Sequence, residues 1–126
     1  LWYKFMINVG INQASAVLRA PYGAFQGPGD ARELMESAMR ETVELSRALG
    51  TGLVSSDVSA WQETLARLSP DGKTSMLQDV EARRRTEVDA FAGAVMGLAL
   101  SVGQDVPVNR TLFRLICAIE GAYAAG

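Results

Sequence analysis

The chain has 126 residues, enough for one domain, and its 48% hydrophobic and 21% charged content is that of an ordinary globular protein. A net charge of −2 and a pI near 5.1 argue against nucleic acid or an anionic membrane surface as a partner. Histidine is absent, which excludes a His-based triad and a typical zinc site. The single Cys117 cannot form an internal disulfide.

Residues 1–18, LWYKFMINVGINQASAVL, read as a helix. Lys4, Asn8 and Asn12 recur every fourth position among Trp2, Phe5, Met6, Ile7, Val9, Ile11, Ala14, Val17 and Leu18. Residues four apart lie one above another on a helix, so these three form a polar line, extended by Ser15. The rest of the surface is apolar nearly all round, which predicts a largely buried helix and a buried Lys4. Two readings stay open. Other helices supply partners for the line, or the line faces a cleft that a ligand completes.

Pro21 predicts a stop near Arg19, and the three glycines and two prolines of residues 20–30 predict a loop. Gly27-Pro28-Gly29 lacks the third spaced glycine and the preceding strand of a nucleotide-binding loop. Asp30 is a candidate N-cap for a helix over 31–49, with Gly50 just past its end. Ser56 can cap a third helix over 57–68, with Val58, Trp61, Leu65 and Leu68 on its core side and Trp61 read as core. Ser69-Pro70-Asp71-Gly72 is a turn. The following Gly72-Lys73-Thr74 is not a P-loop end, because Arg67 stands where that motif needs glycine.

A short helical segment is expected over 74–79. Thr86 and Asp89 read as a capping box opening a long helix to Val102, with Glu87 in its first turn. Gly93, Gly97 and Ser101 on one face of that helix predict close backbone packing. Gly103 ends it. Asn109 is expected to cap a last helix over 110–123, with Leu112, Leu115, Ile116 and Ile119 as its core stripe. No alternating run is long enough for a strand, so the fold class is all-α in one domain over 1–126.

The most apolar run, 90–103, is shorter than the roughly 20 residues of a membrane span. No cleavage-site pattern follows Lys4, so no signal peptide is expected. Cys117, in an apolar helical pattern, reads as a small core residue, and a reducing cytoplasm fits. The chain opens inside a helical pattern and without Met, and it reads as a piece of something longer.

Three motifs carry a resemblance. W-x-K-F-x-I-N-x-x-I-N at Trp2 to Asn12, T-S-M-L-Q-D followed by a basic spacer and T-E-V-D at Thr74 to Asp89, and D-V-P-V-N at Asp105 to Asn109 occur in order. Together they resemble the C-terminal substrate domain of the ketopantoate reductase (2-dehydropantoate 2-reductase) family, over almost the whole chain. Gln13 stands where that family commonly has proline, Arg83-Arg84-Arg85 where a glycine is frequent, and Thr74 where the family has serine. The resemblance implies an all-α domain similar to the 6-phosphogluconate dehydrogenase C-terminal-like fold. It implies an NADPH-dependent reduction of 2-dehydropantoate to pantoate, in the route to pantothenate and coenzyme A. Lys4 then matches the catalytic lysine that gives a proton to the carbonyl oxygen. Asn8, Asn12 and Ser75 match substrate-binding residues, and Glu87 matches the acid that holds the substrate's hydroxyl end.

The family places a dinucleotide-binding domain before this one. Nothing here resembles the strand, glycine loop and helix that hold a dinucleotide, so NADPH is expected to be bound mainly by that absent domain. The isolated chain is expected to be inactive. The expected partner is a small 2-oxo acid, with no metal, nucleic acid or membrane, and a homodimer is left open. The residue types suit this chemistry, since hydride addition puts negative charge on a ketone oxygen that a lysine beside neutral Asn side chains can stabilise. Two alternatives remain at this point: a paralogous reductase of another 2-oxo acid, and a non-catalytic helical interaction module. Glu87 could equally be a helix-start residue favoured by the dipole.

Overall fold

The computed structural model describes residues 1–125, and among them there are helices and turns but no strand. The first helix, α1, runs over residues 2–18, as an α-helical stretch Trp2–Ile7, a π-helical turn Asn8–Asn12 and an α-helical stretch Gln13–Leu18. Arg19 ends it in the left-handed conformation (φ 51°, ψ 48°), two residues before Pro21, and the Ala20 N–H closes on the Ser15 carbonyl at 3.1 Å.

The other elements wrap around α1. They are α2 (Gly23–Gln26), α3 (Asp30–Leu49), α4 (Ser56–Ala66), α5 (Ser75–Glu81), a 3-10 turn Val88–Ala90, α6 (Ala92–Val102) and α7 (Pro107–Ala125). α1 contributes to all three apolar clusters of the core. Met6 and Ile11 pack with Phe25, Met35, Met39 and Trp61. Val9 packs with Ala38, Leu45, Val95 and Leu112. Ala16 packs with Met76, Val80, Val88 and Ile116. Gly10 permits the close approach of α1 to α3, because a Cβ there would lie 2.5 Å from Met39 Cγ and 3.1 Å from the Met35 carbonyl. Trp61 is core as expected, and its indole N–H points at Met35 Sδ.

Several local expectations are corrected. Lys4 is exposed, because the buried part of α1 begins at Met6 and is continuous only from Val9 to Ile11 and Gln13 to Ala16. The loop after α1 contains the one-turn helix α2. Asp30 is the first residue of α3 rather than its cap, a place taken by Gly29 with its φ of 150°. Ser56 lies inside α4, and Asp57 accepts from the Val54 N–H at 2.8 Å to close that entry.

Thr86 and Asp89 do not open a long helix. Thr86 accepts from the Val88 N–H and donates to Glu120, the chain makes a 3-10 turn, and α6 starts only at Ala92. Its first N–H is capped by Gln13 Oε1, 2.8 Å away. Asn109 is no cap either. Pro107, preset for a first helical position, opens α7. The Val108 and Asn109 N–H groups each donate to the Glu41 carboxylate at 2.9 Å.

The close packing expected along Gly93, Gly97 and Ser101 does not run along the face: a Cβ at Gly93 would lie at ordinary contact distance, 3.6 Å from Phe113, while Gly97 and Ser101 are exposed. α6 packs through Ala92, Val95 and Ala99, and a Cβ at Gly97 would meet no atom within 4 Å. No helix of the described residues is long and apolar enough to cross a membrane.

Candidate active site

Two members of the polar line of α1, Asn8 and Asn12, fall on its π turn, and Lys4 lies in the α-helical stretch before it. Such turns widen the helix by one residue and are frequent at functional sites. Asn8 and Asn12 are its first and last residues, both half-buried, and Asn12 Nδ2 donates to Asn8 Oδ1 at 3.5 Å, the long limit of a hydrogen bond. The next residue, Gln13, turns inward. Its Nε2 donates to the Val9 carbonyl at 2.7 Å and to Asn109 Oδ1 at 3.3 Å, while its Oε1 caps α6. The turn is thus tied from inside to three other elements, since Asn109 itself donates to the Ala38 carbonyl and to Glu41.

Polar side chains sort into two groups. Gln13, Ser15, Thr42, Ser46, Thr74, Thr86 and Asn109 are buried and hydrogen-bonded. They hold the fold. Lys4, Ser75 and Glu87 are exposed, and among the described residues none of the three has a side-chain hydrogen bond or ion pair. Asn8 and Asn12 spend only their weak mutual bond, leaving one amide hydrogen-bonding end on each side chain uncommitted. The five residues singled out from the sequence are thus among the polar residues whose side chains keep free ends, as do Arg19, Glu63, Arg67 and Asp71.

The structure links several of them through their supports. Ser15 Oγ donates to the Asn12 carbonyl at 3.0 Å and lies 2.6 Å from Thr74 Oγ1, which puts Ser75, at the start of α5, beside the C-terminal end of the line. Glu87 is flanked by two buried residues. Thr86 is bound by Glu120, and Val88 packs in the same cluster as Ala16 and Met76, next neighbours of Ser15 and Ser75. Lys4 stands two turns up α1 from Asn12, roughly 12 Å along the axis at about 1.5 Å per residue. The depression between α3 and α4, lined by Arg40, Val43, Ser59 and Gln62, contains none of the five.

Nearby titrating groups are held neutral. Burial, then Glu120 and Asp89, push the Cys117 thiol above its ordinary range. Burial, then Glu120 and Asp79, push the Tyr123 phenol up, so it keeps the proton it donates to the Arg84 carbonyl. Among the described residues no cluster of His, Cys, Asp or Glu could hold a metal ion.

Sequence reasoning missed the π turn, the Gln13 hub, the Ser15–Thr74 contact and the Glu41 cap. The signal that could have found Gln13 was its amide among apolar neighbours at a place where the resembling family has proline.

The sequence matches the family model "Ketopantoate reductase PanE/ApbA C terminal" over residues 1–120. The chain belongs to this family. Among its relatives, 2-dehydropantoate 2-reductase of Pyrobaculum aerophilum is 33% identical over 127 residues, spanning 99% of this chain and 44% of the relative. That of Halobacterium salinarum is 34% identical over 116 residues, spanning 92% and 38%. A ketopantoate reductase family structure from Ralstonia eutropha superposes with a TM-score of 0.84 at 30% identity, over 97% of this chain and 41% of that one. A D-mandelate dehydrogenase solved with NADH and anilino(oxo)acetate shares the fold, with a TM-score of 0.86 at 21% identity, over 96% and 40%. This ketopantoate reductase C-terminal domain thus spans less than half the length of the relatives it matches.

Proposed function

We propose that this domain supplies the substrate-side groups of an NADPH-dependent 2-dehydropantoate 2-reductase of the cytoplasm. What supports the reading is the free polar set. Lys4, Asn8, Asn12, Ser75 and Glu87 match the family motif, and they are polar residues the fold does not use. A non-catalytic interaction module has no need to keep all five available.

The described residues contain no strand, and hence no strand–glycine loop–helix unit to hold a dinucleotide. No step is therefore assigned to this chain through the cofactor. NADPH, when bound to the rest of the enzyme, supplies the hydride. The Lys4 ammonium stabilises negative charge growing on the ketone oxygen and gives it a proton. Asn8 and Asn12, held at fixed spacing by the π turn, orient the 2-oxo acid through their uncommitted amide ends. Ser75 bonds the same substrate from α5. Glu87 accepts from the hydroxyl at the far end.

Steady-state kinetics of the full-length reductase test the roles. Lys4→Ala is expected to lower kcat by about 10²–10⁴, the range of a lost general acid. Glu87→Ala is expected to act mainly through KM and to narrow the preference for ketopantoate over 2-oxoisovalerate, which lacks the hydroxyl. Near-normal kcat in Lys4→Ala would remove the proton donor from this chain. An unchanged preference in Glu87→Ala would point to a paralogous reductase of another 2-oxo acid, the reading that the mandelate dehydrogenase fold neighbour keeps in view.

A further inference from the structure

We infer that Ser15 and Thr74 form a positioning pair that sets where Ser75 stands relative to Asn12. The inference rests on the proposed assignment of Ser75 and Asn12 to substrate.

The two hydroxyls are 2.6 Å apart, on residues 59 positions apart in sequence, and both are buried. The neighbouring bonds fix the direction of the protons. Thr74 Oγ1 accepts the Leu77 N–H at 3.1 Å, which caps α5. Ser15 Oγ lies 3.0 Å from the Asn12 carbonyl, a group that can only accept. Ser15 has one proton and gives it to that carbonyl, so Thr74 gives its own proton to Ser15. The run from Leu77 N–H through the Thr74 and Ser15 hydroxyls to the Asn12 carbonyl commits both hydroxyl protons in one direction. Such chains strengthen each member.

The remaining contact between α1 and α5 is apolar, through Ala16, Met76 and Val80. Apolar contact is not directional and tolerates sliding of one helix along the other. The hydroxyl pair is directional. It joins the backbone of Asn12 at one end to the residue preceding Ser75 at the other. Each hydroxyl gives its one proton within this run and is buried, which makes both positioning residues rather than catalytic ones.

Two substitutions separate this role from capping. Ser15→Ala removes the bridge and leaves the Thr74 cap of α5 in place. Thr74→Ser keeps both bonds. In the full-length reductase, Ser15→Ala is expected to raise KM for 2-dehydropantoate about fivefold or more, with KM for NADPH within about twofold of the parent, because a small misplacement of one binding group is felt only by the ligand it holds. Thr74→Ser is expected to stay within about twofold on both, and Thr74→Val to match or exceed Ser15→Ala. A purely structural role would lower the thermal midpoint and leave KM of the folded enzyme unchanged. Ser75→Ala is the reference. If it raises KM while folded Ser15→Ala does not, the positioning inference is overturned and the site assignment stands. If Ser75→Ala itself leaves KM unchanged, the assignment of Ser75 falls and the inference with it.

Discussion

Gln13 offers the sharpest test of how this fold is held. Its side chain is fully buried and uses both ends of the amide, with donors at 2.7 Å to the Val9 carbonyl and 3.3 Å to Asn109 Oδ1 and an acceptor at 2.8 Å from the Ala92 N–H. Gln13→Leu keeps the volume and removes all three bonds. The Ala92 N–H opens α6 and has no partner inside its own helix, so it becomes a buried orphan at about 1–3 kcal/mol. Asn109 Oδ1 loses a longer, weaker bond, and the Val9 carbonyl loses a short one. Because the three belong to one network their losses do not simply add, and a total of about 3–5 kcal/mol is expected. That is a large share of the roughly 5–15 kcal/mol of a small domain.

Urea unfolding of the 126-residue chain, followed by far-ultraviolet circular dichroism, measures it. A loss under about 1 kcal/mol would refute the hub, showing that water or a repacked neighbour replaces the bonds. Gln13→Glu sharpens the test. The new carboxyl can still accept from Ala92, but it faces two acceptor oxygens, so the protonated form is favoured in the fold and its folded pKa lies above the unfolded value. The stability it contributes is therefore present below the unfolded carboxyl pKa of about 4.3 and is lost as pH rises through the folded value. The variant should sit closer to the parent near pH 4 than at pH 7.

Other outcomes follow from single contacts. Gly10→Ala gains roughly 1 kcal/mol of helix propensity but forces a Cβ against fully buried Met39 and the Met35 carbonyl, an overpacking worth about 1–3 kcal/mol; urea unfolding should show a net loss. Glu41→Ala frees the Val108 and Asn109 N–H groups and Asn109 Nδ2 together, and should cost about 2–4 kcal/mol in the same assay, with Glu41→Gln costing less because one acceptor oxygen remains. Cys117, its thiol pushed up first by burial and then by Glu120 and Asp89, should react with iodoacetamide more slowly at about pH 8 than a free cysteine. Its neutral form is favoured by the fold, so that contribution is present below the ordinary thiol pKa and fades as pH rises through the folded one; alkylation as fast as free cysteine would contradict this.

What could be read from the sequence was what is local. Helical periodicity, Pro21, Gly50 and Gly103 placed most helices within a few residues, and Lys4, Asn8 and Asn12 all lie on α1, with Lys4 exposed rather than buried. The cap errors at α6 and α7 share one cause. Asn109 and Thr86 each look like a cap by residue type, yet the first N–H groups of α6 and α7 are taken by Gln13 and Glu41, which lie 79 and 68 residues away in sequence from the residues they cap. A capping side chain from another helix leaves no local pattern. The π turn is silent for a related reason. It is stabilised by Gln13 reaching back to Val9 while also holding Asn109, 96 residues on, so it is a tertiary feature expressed in a helix. The glycine face of α6 misled because small residues permit close packing without requiring it.

The exposure of Lys4 changes how its proposed chemistry must work. Burial within this domain cannot be what makes the ammonium effective, since its face is open. In water a unit charge about 4 Å from an oxyanion is worth about 1 kcal/mol, and about 4 kcal/mol where the effective dielectric falls to about 20. The difference is on the order of 10² in rate. That factor is available only once another surface covers the line and excludes water. Asn8 and Asn12 are prepared for such a cover in a way Lys4 is not: they are half-buried, spaced by a turn that Gln13 holds from behind, and have one free end each. On the proposed assignment, orientation is built into this domain, while the electrostatic gain on Lys4 depends on what closes over it.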